Sequence, residues 1–152
     1  MCGIIGYIGK KQALPIVFEG LTRMEYRGYD SAGVAVVASP NVFAQKAVGR
    51  IMELGKKLEA SGEVNGTLGI GHTRWATHGG VTEANAHPHV DCSGIIWIAH
   101  NGIIENYREL REMLQTQGHM FHSETDSEVL GHLMEEEQKQ MNCSFEEAAR
   151  LA

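Results

Sequence analysis

Met1-Cys2-Gly3-Ile4-Ile5-Gly6-Tyr7-Ile8-Gly9 opens the chain, and everything after it must be built around this stretch. A small residue in second place permits removal of the initiator methionine. Cys2 would then carry both a thiol and a free α-amine. The reference pKa of an α-amine is about 7.7–8.0, close to working pH, so it can serve as a general base. Nucleophile and base are thereby supplied by one residue, as in N-terminal threonine enzymes. The apolar run Gly3 to Ile8 reads as a buried strand that would hold the nucleophile on a rigid element. Taken by itself, a cysteine in second place also fits an incidental buried residue.

Outward from that strand, the chain alternates helical and extended patterns. Leu14, Val17, Phe18, Leu21 and Met24 recur at helical spacing across 12–26, with Pro15 tolerated near the start. Val34 to Ala38 reads as a second strand, with 42–48 as its hairpin partner beyond Ser39-Pro40-Asn41. Ile51, Leu54 and Leu58 mark a short amphipathic helix over 50–60, and Thr67 to His72 a third buried strand. The polar stretch 73–89 is long for a connection, and long ordered loops are usually functional. A fourth strand is expected over Ile95–Ala99. A helix through Ile104, Tyr107, Leu110 and Leu114 follows, stopped at Gly118. Thr125-Asp126-Ser127-Glu128 and Ser144-Phe145-Glu146-Glu147 both match capping boxes. The last helix has barely two turns before Ala152, so the expectation is the front portion of a larger domain.

Composition restricts the function. With 152 residues, 43% hydrophobic and 21% charged, the chain fits one soluble globular domain. A net charge of −6 without a basic block argues against nucleic acid. No apolar run approaches the ~18–20 residues of a membrane span, and no charged-then-apolar signal-peptide pattern is read in the chain. Cys2, Cys92 and Cys143 are odd in number and widely spaced, which points to a reducing cytoplasm. Cys92 and Cys143 read as ordinary small apolar residues.

Four segments fall at strand ends or just beyond: Cys2, the 26–33 loop, the 72–89 loop and the 100–102 turn. Scaffolds present functional groups in such places. A thiolate attacking a carbonyl needs donors aimed at the developing oxyanion, and Asn101-Gly102 supplies a side-chain amide and an open backbone N–H. By itself Asn-Gly is also a common turn. Arg74 offers a bidentate fork for a carboxylate, aided by the hydroxyls of Thr73 and Thr77. A surface ion pair is the ordinary alternative for a loop arginine. Asp126 offers an acidic partner for an ammonium group, although acids at helix starts are routine. Together they suit an α-amino acid. Trp75 can act as a movable cover, or simply pack in a core. His72, His78, His87, His89 and His100 lie in sequence near Cys92, yet no spacing matches a structural zinc pattern of paired cysteines and histidines. Hydrogen bonds that anchor loops or core are the reading for most of them, and neither a metal nor another cofactor is expected.

Several motifs appear in order: Met1 to Gly6, Glu25-Tyr26-Arg27-Gly28-Tyr29-Asp30-Ser31-Ala32-Gly33, His72-Thr73-Arg74-Trp75-Ala76-Thr77-His78-Gly79, Asn85-Ala86-His87-Pro88-His89, His100-Asn101-Gly102-Ile103-Ile104-Glu105-Asn106 and Ser123-Glu124-Thr125-Asp126-Ser127-Glu128. Along essentially the whole chain this resembles the class II, N-terminal-nucleophile glutamine amidotransferases. Within that class it resembles the glutaminase domain of the fructose-6-phosphate aminotransferases. The resemblance implies an α+β fold, a four-layer αββα sandwich, here incomplete at its C-terminus and without sugar-isomerase domains. It implies that Cys2 forms a γ-glutamyl thioester and releases ammonia, with Asn101 and Gly102 as the oxyanion hole. Arg74, Thr77 and His78 would hold the glutamine α-carboxylate, and Asp126 with the Gly102 region its α-amine. Arg27 would order the N-terminal site. Trp75 would gate ammonia toward the synthase half, and His87 would lie near the interface with that half. The implied partners are glutamine, fructose 6-phosphate through the synthase domain, and a second copy in a cytoplasmic homodimer. The alternatives are the glutaminase of another class II amidotransferase, or a truncated module that binds glutamine without turning it over.

Overall fold

Cys2 sits one residue ahead of a six-residue strand, β1 (Gly3–Ile8), in a computed structural model that describes residues 2–152. The expected removal of Met1 lies outside the described residues. Three further strands complete the main sheet: β2 (Ser31–Ala38), β3 (Asn41–Val48) and β4 (Leu68–Arg74). Their order is β1-β4-β2-β3, with every pairing antiparallel. The register sets the site. Gly3 pairs with Thr73 and Ser31 with Arg74, so Cys2 arrives beside the C-terminal end of β4.

Side chains alternate across this sheet. Ala32 and Val34 face two helices, α1 (Ala13–Arg23) and α2 (Ile51–Ala60), and form the core with Val17, Leu21, Ile51 and Leu54. The absence of a side chain at Gly71 lets α1 seat closely. A Cβ there would fall 2.5 Å from Val17 and 2.9 Å from Leu21. The opposite face turns toward a second, two-stranded sheet of β5 (His89–Val90) and β6 (Trp97–Ile98). There Gly33 admits the His87 carbonyl, which would lie 2.2 Å from an added Cβ. Beyond the second sheet pack α3 (Tyr107–Thr116), α4 (Glu128–Met141) and α5 (Phe145–Leu151). The layers therefore run helix, sheet, sheet, helix, as expected.

Several local expectations need correction. β1 is an edge strand rather than a buried one, with Ile4 42% and Ile8 80% exposed. The first helix ends at Arg23, and Glu25–Arg27 form a separate 3-10 turn closed by Gly28 at φ +73°. The strand expected over 95–99 shrinks to Trp97–Ile98. Oδ1 of Asp91 accepts the N–H groups of Ile95 and Ile96, each at 2.9 Å, which fixes a tight turn where the strand would have begun. His89, read as loop, is in the partner strand.

The Thr125 box does not cap. Its hydroxyl bonds His89 Nε2 and Ser123 Oγ, each at 2.9 Å. The Glu128 carboxylate instead accepts the N–H groups of His122 and Ser123, both at 2.8 Å. It thus organises the incoming loop, and α4 begins without a side-chain cap. The second box behaves as expected: Ser144 Oγ accepts the Glu147 N–H at 3.2 Å.

Candidate active site

The candidate residues gather at one end of the main sheet. The Trp75 N–H donates to the Cys2 sulfur at 3.1 Å, tying the thiol to the residue just past β4. Cys2 borders a cavity of about 190 Å³. Arg74, Trp75, Thr77 and His78 line it from the β4 end and the following loop. Asn101, Gly102 and Asp126 line it from the other layer. Nine of the ten expected residues therefore meet in one space, His87 being the ninth. Arg27 is placed apart: with Cys2, Trp75 and Thr77 it borders an outer opening.

Arg74 is only 4% exposed, which removes the surface ion-pair reading. Its guanidinium donates to the carbonyls of Gly80, at 3.1 Å, and His78. Five N–H groups radiate from a guanidinium, so donors remain beyond those two. Trp75 is 56% exposed at the mouth, which removes the core-packing reading. Its ring lies over Gly28, whose added Cβ would approach it to 3.3 Å. Asp126 is 3% exposed and accepts the Ile104 N–H through Oδ2 at 2.8 Å. Its Oδ1 faces the cavity side, 3.8 Å from Nδ1 of His78.

Three histidines brace the floor. His72 Nε2 bonds Asn101 Oδ1 at 2.8 Å, and the His72 and His87 rings stack at 4.3 Å. Burial lowers the His72 pKa to about 4 and pushes that of His87 lower still. A neutral His72 has a single N–H. Placed on Nε2, it donates to Oδ1 and leaves the Asn101 amide N–H groups for the cavity. His87 Nδ1 accepts the His100 N–H at 3.4 Å, and His100 Nδ1 reaches Ser127 Oγ at 3.1 Å. The His100 ring also occupies the space a Cβ on residue 102 would need, at 2.7 Å.

Sequence reasoning missed the specific duties of His72, His100, Ser127 and Asp30. Asp30 accepts the Ala76 N–H and so fixes the turn behind Trp75. The general reading of these histidines as anchors holds for His72, His89 and His100. A usable signal was present: His72 and His100 each stand at a strand end beside an expected site residue.

Comparison with known proteins agrees with this geometry. A family model described as a glutamine amidotransferase domain matches residues 41–146. The glutamine–fructose-6-phosphate aminotransferase (isomerizing) of Pyrococcus horikoshii is 53% identical over 152 residues, all of this chain and 25% of its own length. That of Methanococcus maripaludis is 57% identical over 139 residues, covering 91% of this chain and 23% of the relative. The chain thus spans about a quarter of the length of the curated relatives it matches. The solved glutamine phosphoribosylpyrophosphate amidotransferase of B. subtilis, complexed with ADP and GMP, superposes with a TM-score of 0.79 at 28% identity. It covers 99% of this chain and 32% of that one. A structure described as the allosteric regulatory enzyme of purine biosynthesis gives 0.81 at 30% identity, with the same coverage. Sequence match and layered fold converge, and the chain belongs to the glutamine amidotransferase family with an N-terminal-nucleophile hydrolase fold.

Proposed function

We propose that this chain is the front portion of a glutaminase domain that hydrolyses the glutamine side-chain amide. In this reading the parent protein delivers the ammonia to fructose 6-phosphate through sugar-isomerase domains, as a homodimer. The observation that carries the reading is the convergence of Cys2, Asn101, Gly102, Arg74 and Asp126 on one cavity of about 190 Å³. That volume lies below the ~300 Å³ and upward of drug-sized pockets and suits a free amino acid.

The steps follow from the groups present. With Met1 removed, the Cys2 α-amine takes the thiol proton, and the thiolate attacks the glutamine δ-carbonyl carbon. The C=O π pair moves to oxygen, where the Asn101 amide and Gly102 N–H would stabilise it. The protonated amine returns its proton to the leaving nitrogen. The C–N bond breaks, ammonia departs, and a γ-glutamyl thioester remains. Water, deprotonated by the same amine, attacks the thioester and releases glutamate and thiol. The remaining Arg74 donors, with Thr77 and His78, would hold the α-carboxylate, and Asp126 the α-ammonium group. Trp75 would cover the mouth, and Arg27 would order its outer rim.

Intact-mass measurement and a glutaminase assay test this. Loss of Met1, ammonia release, and inactivity of Cys2→Ala are expected. Retained Met1 with full activity, or an active Cys2→Ala chain, would overturn it. The higher identity to the fructose-6-phosphate enzymes, 53–57%, than to the solved phosphoribosylpyrophosphate enzyme, 28%, favours the sugar acceptor. Fructose 6-phosphate amination by the full-length protein is the corresponding assay. Among the described residues, no helix is long and apolar enough to cross a membrane.

A further inference from the structure

Away from this cavity, four donor side chains from three parts of the chain converge. Cys92 lies in the tight turn between β5 and β6, His119 follows α3, and His132 and Glu135 are a turn apart on α4. Their ligand atoms all lie within 4.8 Å of one another. Cys92 Sγ is 3.7 Å from His119 Nδ1 and 3.4 Å from His132 Nδ1. The two Nδ1 atoms are 3.2 Å apart. Glu135 Oε2 is 3.3 Å from the first and 3.8 Å from the second. Zinc bonds of about 2.3 Å to sulfur and 2.0–2.2 Å to nitrogen or oxygen imply tetrahedral edges of about 3.3–3.6 Å. The five distances scatter around those edges. We propose that Cys92, His119, His132 and Glu135 form a structural zinc site.

The surroundings match the requirements of such a site. Both imidazoles turn Nδ1 inward and Nε2 toward a carboxylate. His119 Nε2 is 3.1 Å from Glu136 Oε2, and His132 Nε2 is 3.7 Å from Glu128 Oε1. Metal-binding histidines characteristically give their other N–H to a carboxylate, which fixes the tautomer and leaves the inner lone pair for the metal. His119 makes that hydrogen bond. His132 Nε2, which has no hydrogen-bond partner among the described residues, has the Glu128 carboxylate just beyond bonding distance. With that tautomer, two nitrogen lone pairs, a sulfur and a carboxylate oxygen face one another, an arrangement that a cation stabilises. The Met120 N–H donates to the sulfur at 3.3 Å and the Cys92 N–H to Glu135 Oε2 at 3.0 Å, orienting both anionic ligands. Thiolate and carboxylate together balance the charge of a divalent ion, and two neutral imidazoles complete the set. A thiolate ligand selects zinc over calcium or magnesium. His119, His132 and Glu135 are all buried, and Cys92 closes the cluster from the surface. Four protein donors leave no open position, so the ion would be structural. It would clamp the β5–β6 turn to α3 and α4, the layer that carries Asn101 and Asp126.

The expectation that no metal binds rested on other histidines, 72 to 100, and on paired-ligand spacings. Here the ligands are separated by 27, 13 and 3 positions. The test is elemental analysis of the full chain purified without added metal or chelator, then cobalt substitution. One equivalent of zinc per chain is expected. Cobalt should give a thiolate charge-transfer band and the strong visible bands of a tetrahedral ion. Cys92→Ala, at an exposed position, should lose the charge-transfer band and at least tenfold in zinc affinity while its circular dichroism is retained. Cys2→Ala and Cys143→Ala should keep both. His132→Ala should lose zinc, and Cys92→Ala keeps the proposal testable if that variant fails to fold. Failure of the metal-free chain to take up added zinc would overturn the proposal. So would an undiminished zinc affinity, or a retained thiolate band, in Cys92→Ala.

Discussion

His72 Nε2 bonds Asn101 Oδ1 across 2.8 Å, joining the end of β4 to the turn after β6. A neutral His72 can hold the Asn101 oxygen only as donor, so the asparagine N–H groups are turned to the cavity. Removing an oxyanion donor typically costs about 10²–10³ in kcat. Asn101→Ala should lose that much in glutaminase turnover. His72→Ala should lose less, because the amide remains but its orientation is no longer fixed. In both variants KM for glutamine should change little, the pattern of a group acting in the transition state. Steady-state kinetics on the two variants check the order.

Arg74 gives a different signature. It holds the loop carbonyls of His78 and Gly80 and also faces the cavity. Lysine keeps the charge but loses the planar fork. Arg74→Lys should therefore raise KM for glutamine by about tenfold or more, roughly the 1.4 kcal/mol of a lost charged contact. It should also loosen residues 76–80. Kinetics and hydrogen exchange on the loop amides report the two effects separately, and an unchanged KM would remove Arg74 from substrate binding.

Much of the site could be read before the fold was known, for identifiable reasons. Val34 to Ala38 is an apolar run and 42–48 a largely apolar one, interrupted by Gln45 and Lys46, on either side of a turn, so their hairpin follows from local pattern. Asn101 and Arg74 were recognisable because each stands just beyond a strand-like run, where side chains are presented rather than packed, and Asp126 because it is an acid at a helix start. The second sheet was poorly legible. Its strands are two residues long, and their limits are set by the Asp91 side chain taking the Ile95 and Ile96 amides. The Thr125 box misled because His89, 36 positions earlier, engages the hydroxyl a cap would have used. His119 and His132 escaped notice because Cys92, their common neighbour, is distant in sequence.

Burial of neutral histidines makes stability depend on pH. Burial lowers His72 to about 4 and His89 to about 3, and His87 moves in the same direction. Above pH 6.5 these groups are neutral in both folded and unfolded chains and contribute no pH dependence. As pH falls below 6.5, the unfolded chain takes up protons that the folded chain refuses. Stability therefore falls through the window from about 6.5 to about 4, and His89 extends the loss toward 3. Each such group contributes a slope of about 1.4 kcal/mol per pH unit. Urea titrations at pH 7.5, 6, 5 and 4 should show the midpoint dropping steadily. A flat profile across that range would contradict neutral burial.

Two glycines separate stability from activity. At Gly71 an added Cβ would strike Val17 at 2.5 Å and Leu21 at 2.9 Å, inside the α1 core and away from the cavity. Overpacking of this kind costs about 1–3 kcal/mol. Gly71→Ala should lower the unfolding midpoint, while molecules that remain folded keep their kcat. At Gly33 the added Cβ would meet the His87 carbonyl at 2.2 Å, a backbone atom on the other face of the sheet. Backbone cannot yield as a side-chain tip can, so the 86–88 segment must shift. His87 stacks on His72, and His72 holds Asn101. Gly33→Ala should therefore lower kcat as well as stability. Denaturation curves paired with kinetics at a temperature where both variants remain folded distinguish the cases. Equal kcat values for the two would break the link drawn from Gly33 through His87 and His72 to Asn101, the proposed oxyanion donor.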